Sequence, residues 1–449
     1  MKYKDKKVLV CGMGKSGISA ARLLLRHGAQ VMLTDTKATP NIDADLLAND
    51  RISTYFGKNP DDIVSDFDIV VISPGISVYS PFVKIARQAG VAVVGEIEIA
   101  AGVCKAPIIA ITGTNGKTTT VSMVGDIMKN FAKSKFSCVV GNIGVPFCDE
   151  AENIPADAFA VAEISSFQLE TIAEFSPKIS AVLNMTEDHL NRHITMENYI
   201  AAKERIFENQ TPEDFCILNY DNEITRNMAA KTAAQVIFFS KQPMESGIFV
   251  KDDAICINWG CYSGEIMKCA DLPVPGSHSL ENAMAAAAMA AAADVPIDVI
   301  ARSLSGFTAV EHRQEFVREL RGVRFYNDSK ATNVDSAIVG INAMSRPVVL
   351  IGGGEGKDQD FGGLIAAFGN KVKAFIIMGS ATEQLIQTCR AHNFTAYEIA
   401  IDMQDAVNIA FARADDGDCI LLSPACASMD MFDNFEHRGR VFKELVMEL

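Results

Sequence analysis

The segment Ile108-Ile109-Ala110-Ile111-Thr112-Gly113-Thr114-Asn115-Gly116-Lys117-Thr118-Thr119 decides the fold of this 449-residue chain. Five apolar or β-branched residues predict a buried strand, and Gly-Lys-Thr after the glycine loop opens a helix. In this order the loop N–H groups cradle phosphates, Lys117 reaches the β and γ oxygens, and the Thr118 hydroxyl binds Mg²⁺. Ile111 stands where the usual pattern has its first glycine. The sequence predicts ATP at residues 113–119.

Short apolar runs alternate with helical stretches along the rest of the chain. They lie at residues 8–11, 31–34, 69–73, 91–94, 159–164, 179–184, 215–219, 348–351, 374–378 and 419–422. Strands that alternate with helices imply a parallel sheet covered on both faces. We predict an α/β fold of three domains: a Rossmann-like N-terminal domain at 1–105, a central P-loop ATPase-like domain with a mainly parallel sheet at 106–308, and a Rossmann-like C-terminal domain at 309–449.

Composition limits the partners and the compartment. The net charge of −15 argues against nucleic acid or an anionic membrane as a partner. The longest apolar run, the alanine-rich residues 283–293, is shorter than the ~20 residues of a membrane helix. Eleven scattered cysteines without metal-ligand spacing indicate reduced core thiols. We therefore expect a cytoplasmic protein, and we expect a monomer.

A second glycine motif follows the first predicted strand. Residues 12–17 read GMGKSG and open a helix, and Asp35 ends the second strand. Glycines let the backbone approach a phosphate at a helix N-terminus, and the carboxylate accepts a hydrogen bond from a hydroxyl or an imide. Taken alone, the motif favours an NAD-dependent enzyme. A tight turn without a ligand is the other interpretation.

Polar residues also end two strands of the central block. Glu163 follows an apolar strand, which suits a Mg²⁺ ligand beside a phosphate loop. His189 follows the next strand, although a lone histidine is more often structural. Lys203 lies on a predicted helix that begins near Met196, where a solvated charged face explains it equally well.

Motifs in order along the whole chain resemble those of the Mur ligase family. They are GTNGKTT at 113–119, EISSFQ at 163–168, NMTEDH at 184–189, AAKERI at 201–206, GSHSLEN at 276–282 and EHR at 311–313. YNDSKATN at 326–333, LSPACAS at 422–428 and FEHRG at 435–439 resemble the members that couple D-glutamate to UDP-N-acetylmuramoyl-L-alanine. The resemblance implies an ATP-dependent ligase of peptidoglycan precursor synthesis that forms an acyl phosphate, which the amine of D-glutamate attacks.

The resemblance also implies a set of site residues. The first domain would hold the UDP end of the substrate, not NAD, through Gly14, Asp35, Thr36, Ser73 and Gly75. In the central domain the substrate would meet Asn142, Ser165 and His189. Thr118 and Glu163 would hold one Mg²⁺, and His189 with a carbamylated Lys203 a second. Asn282, Arg313 and Asp328 match nucleotide contacts.

The remaining matches lie near the γ-phosphate and D-glutamate: Lys330, Thr332, Lys357, Ser428 and Phe435. Lys117, His189, Lys203 and Lys330 are the predicted catalytic residues. Glu355 departs from the family, which usually has aspartate there, and this weakens the prediction for Lys357.

Three other functions stay open at this point. A sister enzyme of the same family could add a different amino acid or extend folate with glutamate. An NAD-dependent oxidoreductase would explain residues 12–17 but would leave residues 113–119 without a role. A nucleotide-regulated binding protein would use ATP only to switch conformation.

Overall fold

A computed structural model describes residues 2–131, 138–274, 276–308, 311–356 and 359–449, without the side chains of residues 191 and 277. The chain divides into two compact units, Met1–Asp271 with Glu281–Ser305 and Leu272–Leu280 with Gly306–Leu449. Three sheets made mainly of parallel strands alternate with helices. This confirms the predicted α/β class. The domain boundaries near residues 105 and 308 stay predictions.

The N-terminal sheet has five parallel strands in the order β3-β2-β1-β4-β5. The strands are β1 Lys7–Cys11, β2 Gln30–Asp35, β3 Ile52–Phe56, β4 Ile69–Ile72 and β5 Ala92–Val94. The helices are α1 Lys15–Arg26, α2 Ala44–Leu47, α3 Pro81–Gln88 and α4 Glu96–Ala101. A Cβ atom on Gly17 would lie 1.9 Å from the Gly12 carbonyl oxygen. Glycine therefore lets α1 start directly against the end of β1.

The central sheet has nine strands in the order β14-β13-β12-β11-β10-β9-β6-β8-β7, of which β13 pairs antiparallel with both its neighbours. They are β6 Ile108–Thr112, β7 Cys138–Gly141, β8 Ala160–Glu163, β9 Ile179–Val182, β10 Phe215–Asn219, β11 Gln235–Ser240, β12 Gly247–Lys251, β13 Ala254–Trp259 and β14 Tyr262–Lys268. Since β9, β6, β8 and β7 are adjacent and parallel, the segments that follow them meet at one edge of the sheet.

Eight helices accompany this sheet in the described part of the chain. They are α5 Lys117–Phe131, α6 Phe147–Glu150, α7 Ser166–Leu169, α8 Leu190–His193, α9 Met196–Glu204, α10 Glu223–Met228, α11 Ser277–Ala292 and α12 Ile297–Ser305. The alanine-rich part of α11 is buried on every side, because residues 283–291 all have zero solvent exposure. Small side chains allow neighbours to pack closely around the whole helix.

The C-terminal sheet has six strands in the order β15-β16-β20-β17-β18-β19, antiparallel only between β15 and β16. The strands are β15 Glu315–Leu320, β16 Val323–Asn327, β17 Val348–Gly353, β18 Val372–Met378, β19 Tyr397–Ile399 and β20 Cys419–Leu422. The helices are α13 Val334–Ala343, α14 Gly362–Ala366, α15 Thr382–Ala391, α16 Met403–Arg413 and α17 Phe435–Glu448.

Candidate active site

The predicted phosphate loop joins the end of β6 to the start of α5. Gly113 and Gly116 have φ angles of 144° and 85°, a backbone conformation that favours glycine. The Lys117 Nζ atom donates to the carbonyl oxygens of Gly113 and Thr114, both at 2.8 Å. A Cβ atom on Gly116 would lie 2.3 Å from Oδ1 of Asn282, so the loop and α11 are in close contact. The lysine and Asn282 therefore lie at the loop, as the nucleotide site requires.

The segment after β9 braces this loop, a role that the sequence did not reveal. Asn184 accepts from the Asn115 amide at 2.8 Å and donates to the Asn115 carbonyl at 3.1 Å. The Thr114 hydroxyl donates to the Thr186 carbonyl and accepts from the Thr186 amide, each at 3.1 Å. It also lies 3.2 Å from the Tyr199 hydroxyl. The NMTEDH motif at 184–189 marked this segment as part of the site, but it did not predict these contacts with the phosphate loop.

A hydroxyl and a carboxylate meet beside the loop. The Thr118 hydroxyl donates to Oε2 of Glu163 at 2.9 Å, and the Asn142 amide donates to Oε1 at 2.9 Å. The Glu163 side chain ends β8 and is almost fully buried. Oxygen ligands of this kind suit Mg²⁺, and a hydroxyl already within 3 Å of a carboxylate fits a shared cation. Ser165 caps α7 by accepting from the Gln168 amide.

Lys203 is buried, so the solvated-face interpretation does not hold for it. Its side chain is 1% exposed, and its Nζ atom donates to the Thr112 hydroxyl at 3.1 Å and to the Gly113 carbonyl at 2.8 Å. Burial, with a smaller contribution from the positive charge of Lys117, holds the pKa of the Lys203 amine well below its usual value. The amine therefore gives up its proton more readily than an exposed lysine does, and it lies at the base of the phosphate loop.

His189 occupies an exposed position with a left-handed backbone, φ 54°. Its Nε2 atom lies 3.6 Å from Oδ2 of Asp188, and its ring packs against Phe167 with centroids 4.9 Å apart. Among the described residues, no group of three or more His, Cys, Asp or Glu side chains converges as a metal cluster would. The metal ligands therefore stay a prediction. The Thr118 hydroxyl and the Glu163 carboxylate are predicted for one ion, and His189 with a carbamylated Lys203 is predicted for the other.

The N-terminal glycine turn holds its predicted residues by short contacts. Asp35 accepts from the Met13 amide at 2.8 Å, and the Ser73 hydroxyl donates to the Gly12 carbonyl at 3.0 Å. Thr36 follows Asp35 and is exposed. Gly14 and Gly75 have open space where a side chain would project. The turn, the aspartate and the serine thus lie together at the carboxyl ends of β1, β2 and β4.

The C-terminal unit has its own polar centre around Asp328. This carboxylate accepts from the Ser423 hydroxyl at 2.8 Å and from the Gln314 amide at 3.2 Å. Burial raises its pKa to about 6, and the charge of Arg313 opposes that rise. The Lys330 ammonium lies 5.5 Å from the centroid of the Phe435 ring. Asp328, predicted to contact the nucleotide, and Lys330, predicted to lie near the γ-phosphate and D-glutamate, are therefore neighbours in the segment after β16.

Of three further predicted positions, Thr332 and Ser428 are described by the structure and Lys357 is not. The Thr332 amide donates to the Lys330 carbonyl at 2.9 Å, and Ser428 is buried. Lys357 lies outside the described residues. Glu355 exchanges two backbone hydrogen bonds with Ala427, which directly precedes Ser428. The glutamate at this position is therefore compatible with a backbone link to the serine loop.

Arg438 joins the segments of the C-terminal site and was not among the predicted site residues. Its side chain is 2% exposed, and its Nε and Nη2 atoms donate to the hydroxyl and carbonyl of Ser329 at 3.0 and 2.8 Å. It also donates to the carbonyls of Cys426 and Ala427 at 3.2 and 3.3 Å. Its place in FEHRG, three residues after Phe435 on α17, was the available signal.

Two general expectations concern cysteines and membranes. All eleven cysteines are free, and burial raises the thiol pKa of several, to about 12 for Cys216. Among the described residues, no helix combines the length and apolar character needed to cross a bilayer.

Three known domain families match this chain in succession, one over each of the three sheets. The profile of the Mur ligase MurD-like N-terminal domain matches residues 6–95, that of the Mur ligase middle domain matches residues 111–290, and that of the Mur ligase glutamate ligase domain matches residues 312–426. The MurF ligase of Thermotoga maritima in complex with ADP has a similar fold, with a TM-score of 0.60, 14% identity, and coverage of 99% of this chain and 96% of that chain.

Curated relatives match over the full length. UDP-N-acetylmuramoylalanine--D-glutamate ligase of Thermoanaerobacter sp. is 44% identical, with all of both chains covered. The protein of the same name from Clostridioides difficile is 43% identical, again with all of both chains covered. With three domain profiles in order and relatives of this similarity along its whole length, the chain belongs to the Mur ligase family, whose members are ATP-dependent ligases.

Proposed function

We propose that this protein couples D-glutamate to UDP-N-acetylmuramoyl-L-alanine, with ATP cleaved to ADP and phosphate. The observation that carries the proposal is the convergence of Lys117, the Thr118–Glu163 pair and the buried Lys203 amine around one phosphate loop. The full-length relatives that are named for this activity support the choice of substrates. So does the glutamate ligase domain profile over residues 312–426.

The first step must bring two anions together. The substrate carboxylate attacks the γ-phosphorus of ATP, the bond from phosphorus to the β,γ-bridging oxygen breaks, and an acyl phosphate forms. Lys117 provides a fixed positive charge at the loop, and the loop N–H groups hold the phosphates. Bound at Thr118 and Glu163, Mg²⁺ would supply further positive charge against the repulsion between carboxylate and phosphate.

Lys203 fits a second cation only after its charge is inverted. An ammonium would repel a metal ion, whereas the neutral amine, which burial favours by lowering the pKa of Lys203 well below its usual value, is a nucleophile toward CO₂. Bond formation between Nζ and the carbon of CO₂, with loss of a proton, gives a carbamate whose oxygens are hard ligands. We assign His189 as the imidazole ligand of this second ion. The Thr112 hydroxyl and the Gly113 carbonyl fix the position of Nζ.

The second step is amide formation. The amine of D-glutamate attacks the acyl carbon, the bond from carbon to the phosphate oxygen breaks, phosphate leaves and the ammonium loses a proton. D-Glutamate carries two carboxylates, which suit the cation of Lys330 and the hydroxyl of Ser428. Phe435 lies beside Lys330 and restricts where its ammonium can reach. Arg313 and Asp328 are assigned to the nucleotide.

The N-terminal domain is assigned to the uridine diphosphate. The turn that begins at Gly12 presents the N-terminus of α1, where backbone N–H groups and the helix dipole favour an anion. Asp35 is aligned by the Met13 amide and is available to a uracil imide or a ribose hydroxyl. ATP and UDP-linked substrates with reduced thiols agree with a cytoplasmic location. We expect the protein to act as a monomer.

The deciding experiment measures ADP release with UDP-N-acetylmuramoyl-L-alanine and a panel of amino acids. We expect release with D-glutamate and little release with L-glutamate, L-lysine or diaminopimelate. Mass spectrometry of the product should show the addition of one glutamate residue. Release with L-glutamate but not with D-glutamate would instead indicate a sister enzyme that adds a different amino acid. Reduced-nicotinamide absorbance that changes with substrate would indicate an oxidoreductase.

A further inference from the structure

Arg192 lies between two parts of the predicted substrate site. Its Nη2 atom donates to the Ile76 carbonyl at 2.8 Å and to Oε2 of Glu170 at 2.7 Å. Its guanidinium stacks 4.7 Å above the centroid of the Phe167 ring. The side chain is only 14% exposed. A partly buried guanidinium with a carbonyl, a carboxylate and an aromatic face around it has one preferred position.

The first contact reaches the N-terminal domain. Ile76 closes a tight turn with Ser73, since the Ile76 amide donates to the Ser73 carbonyl at 2.9 Å. Ser73 in turn donates to Gly12 in the turn assigned to the diphosphate. The contacts that shape the UDP site therefore lie within the N-terminal domain. Arg192, which belongs to the central domain, adds one hydrogen bond to the Ile76 carbonyl next to that site.

The other contacts reach the central domain. Oε1 of the same Glu170 carboxylate lies 3.5 Å from Nδ1 of His193, and the His193 Nε2 atom lies 3.0 Å from the Ser166 hydroxyl. Phe167, below the guanidinium, also packs against the His189 ring. The segment after β8 is thereby fixed to the segment after β9, which carries Arg192.

We propose that Arg192 is a positioning residue that sets the distance between the bound uridine diphosphate and the reacting carboxylate of the same substrate. This inference rests on the proposed function. A substrate anchored at its UDP end reaches the γ-phosphate only if the two domains keep that spacing. A displacement of about 1 Å costs on the order of 100-fold in the rate of a positioned reaction.

The test compares turnover with substrate affinity in Arg192→Met, which keeps the length of the side chain but has no donor. We expect kcat to fall about 100-fold. The Kd of UDP-N-acetylmuramoyl-L-alanine, measured by calorimetry without ATP, should stay within about threefold, since the UDP site is held by its own domain. Arg192→Lys should lose less, because an ammonium still reaches one acceptor. If the methionine variant does not fold, the same comparison of kcat with Kd is made on Arg192→Lys.

Arg302→Met is the matched control. Arg302 pairs with Asp298 on α12, where both side chains are more than two-thirds exposed, so its loss should leave kcat and Kd unchanged. A loss of kcat at least ten times larger than the loss of affinity supports the inference. Any smaller ratio, including an unchanged kcat, overturns it. Failure of the proposed function can be distinguished from failure of this inference, because the wild-type protein would then release no ADP with D-glutamate.

Discussion

Replacement of Arg438 by methionine should destabilise the C-terminal unit and weaken D-glutamate binding. The substitution leaves the hydroxyl and carbonyl of Ser329 and the carbonyls of Cys426 and Ala427 without their buried donor. At roughly 1.5 kcal/mol for each acceptor, the loss is about 6 kcal/mol. Burial lowers the pKa of Arg438 well below its usual value, to about 10, so removal of this buried charge recovers roughly 3 kcal/mol of folding free energy.

The net destabilisation is therefore about 3 kcal/mol, which corresponds to a fall in Tm of about 6–12 °C for a domain of this size. Scanning calorimetry of the full chain measures it. Steady-state ADP release should show a KM for D-glutamate raised at least about tenfold, because the freed loops carry Lys330 and Ser428. The Kd of UDP-N-acetylmuramoyl-L-alanine should be unchanged.

Arg440→Met is the control for this substitution, since Arg440 lies two residues later on α17 and is exposed. The same Tm and the same KM for D-glutamate in both variants would refute the reasoning. Arg438→Lys should give intermediate values, because an ammonium keeps the charge but cannot reach all four acceptors.

Four other changes have defined outcomes. Lys117→Ala should nearly abolish ADP release without a change in circular dichroism, because phosphoryl transfer loses its fixed cation. Lys203→Ala should severely lower kcat, with partial recovery when acetate or propionate replaces the missing carbamate; wild-type turnover would exclude the modification. Ser428→Ala should raise the KM for D-glutamate far more than the KM for ATP, and equal effects would assign the serine to domain shape. The pKa of Asp328 is about 6 in the folded protein and about 3.8 in the unfolded chain. Its protonated carboxyl group therefore adds fully to the free energy of unfolding below pH 4, and this contribution is lost as the pH rises through 6. Urea unfolding at pH 4.5 and 7.5 should show that Asp328→Asn removes about 2 kcal/mol of this pH dependence.

Strands buried in the middle of each sheet could be predicted from the sequence with nearly correct ends. β6, β10 and β20 have the predicted bounds, and most other predicted strands differ by one or two residues at either end. Their apolar runs are continuous because both faces are covered, so local composition alone identifies them. The strands that were not predicted are β3, β7, β11 to β16 and β19, which include most of the sheet edges. β12 to β14 and β15 have partly exposed, mixed sequences.

One signal for the β12–β13 hairpin was present. Asp252 and Asp253 both have positive φ, the geometry of a tight hairpin turn that aspartate tolerates. An Asp-Asp pair between two apolar runs could have been interpreted in this way.

The candidate site was predictable where one segment carries the chemistry. Residues 108–119 form strand, loop and the start of a helix in sequence, so their pattern predicts their geometry. Asn184 and Arg438 act through partners 69 and 109 residues away, which no local pattern contains. Lys203 shows the same limit in another way. Its helix has ordinary charged neighbours, and only the packing of α9 against the loop reveals that its amine is buried.

The alanine-rich helix α11 imposes an unusual pattern of mutational tolerance. Residues 283–291 have no exposed face, so no position on that part of the helix offers a larger side chain room to project into solvent. Saturation mutagenesis of an ordinary surface helix shows tolerant positions every three to four residues. In this part of α11 the alanine positions should be restricted to small residues, and Met284 and Met289 to side chains of about their own volume. Asn282 directly precedes this stretch and lies against Gly116. Substitutions in the helix are therefore limited by the phosphate loop as well as by the core.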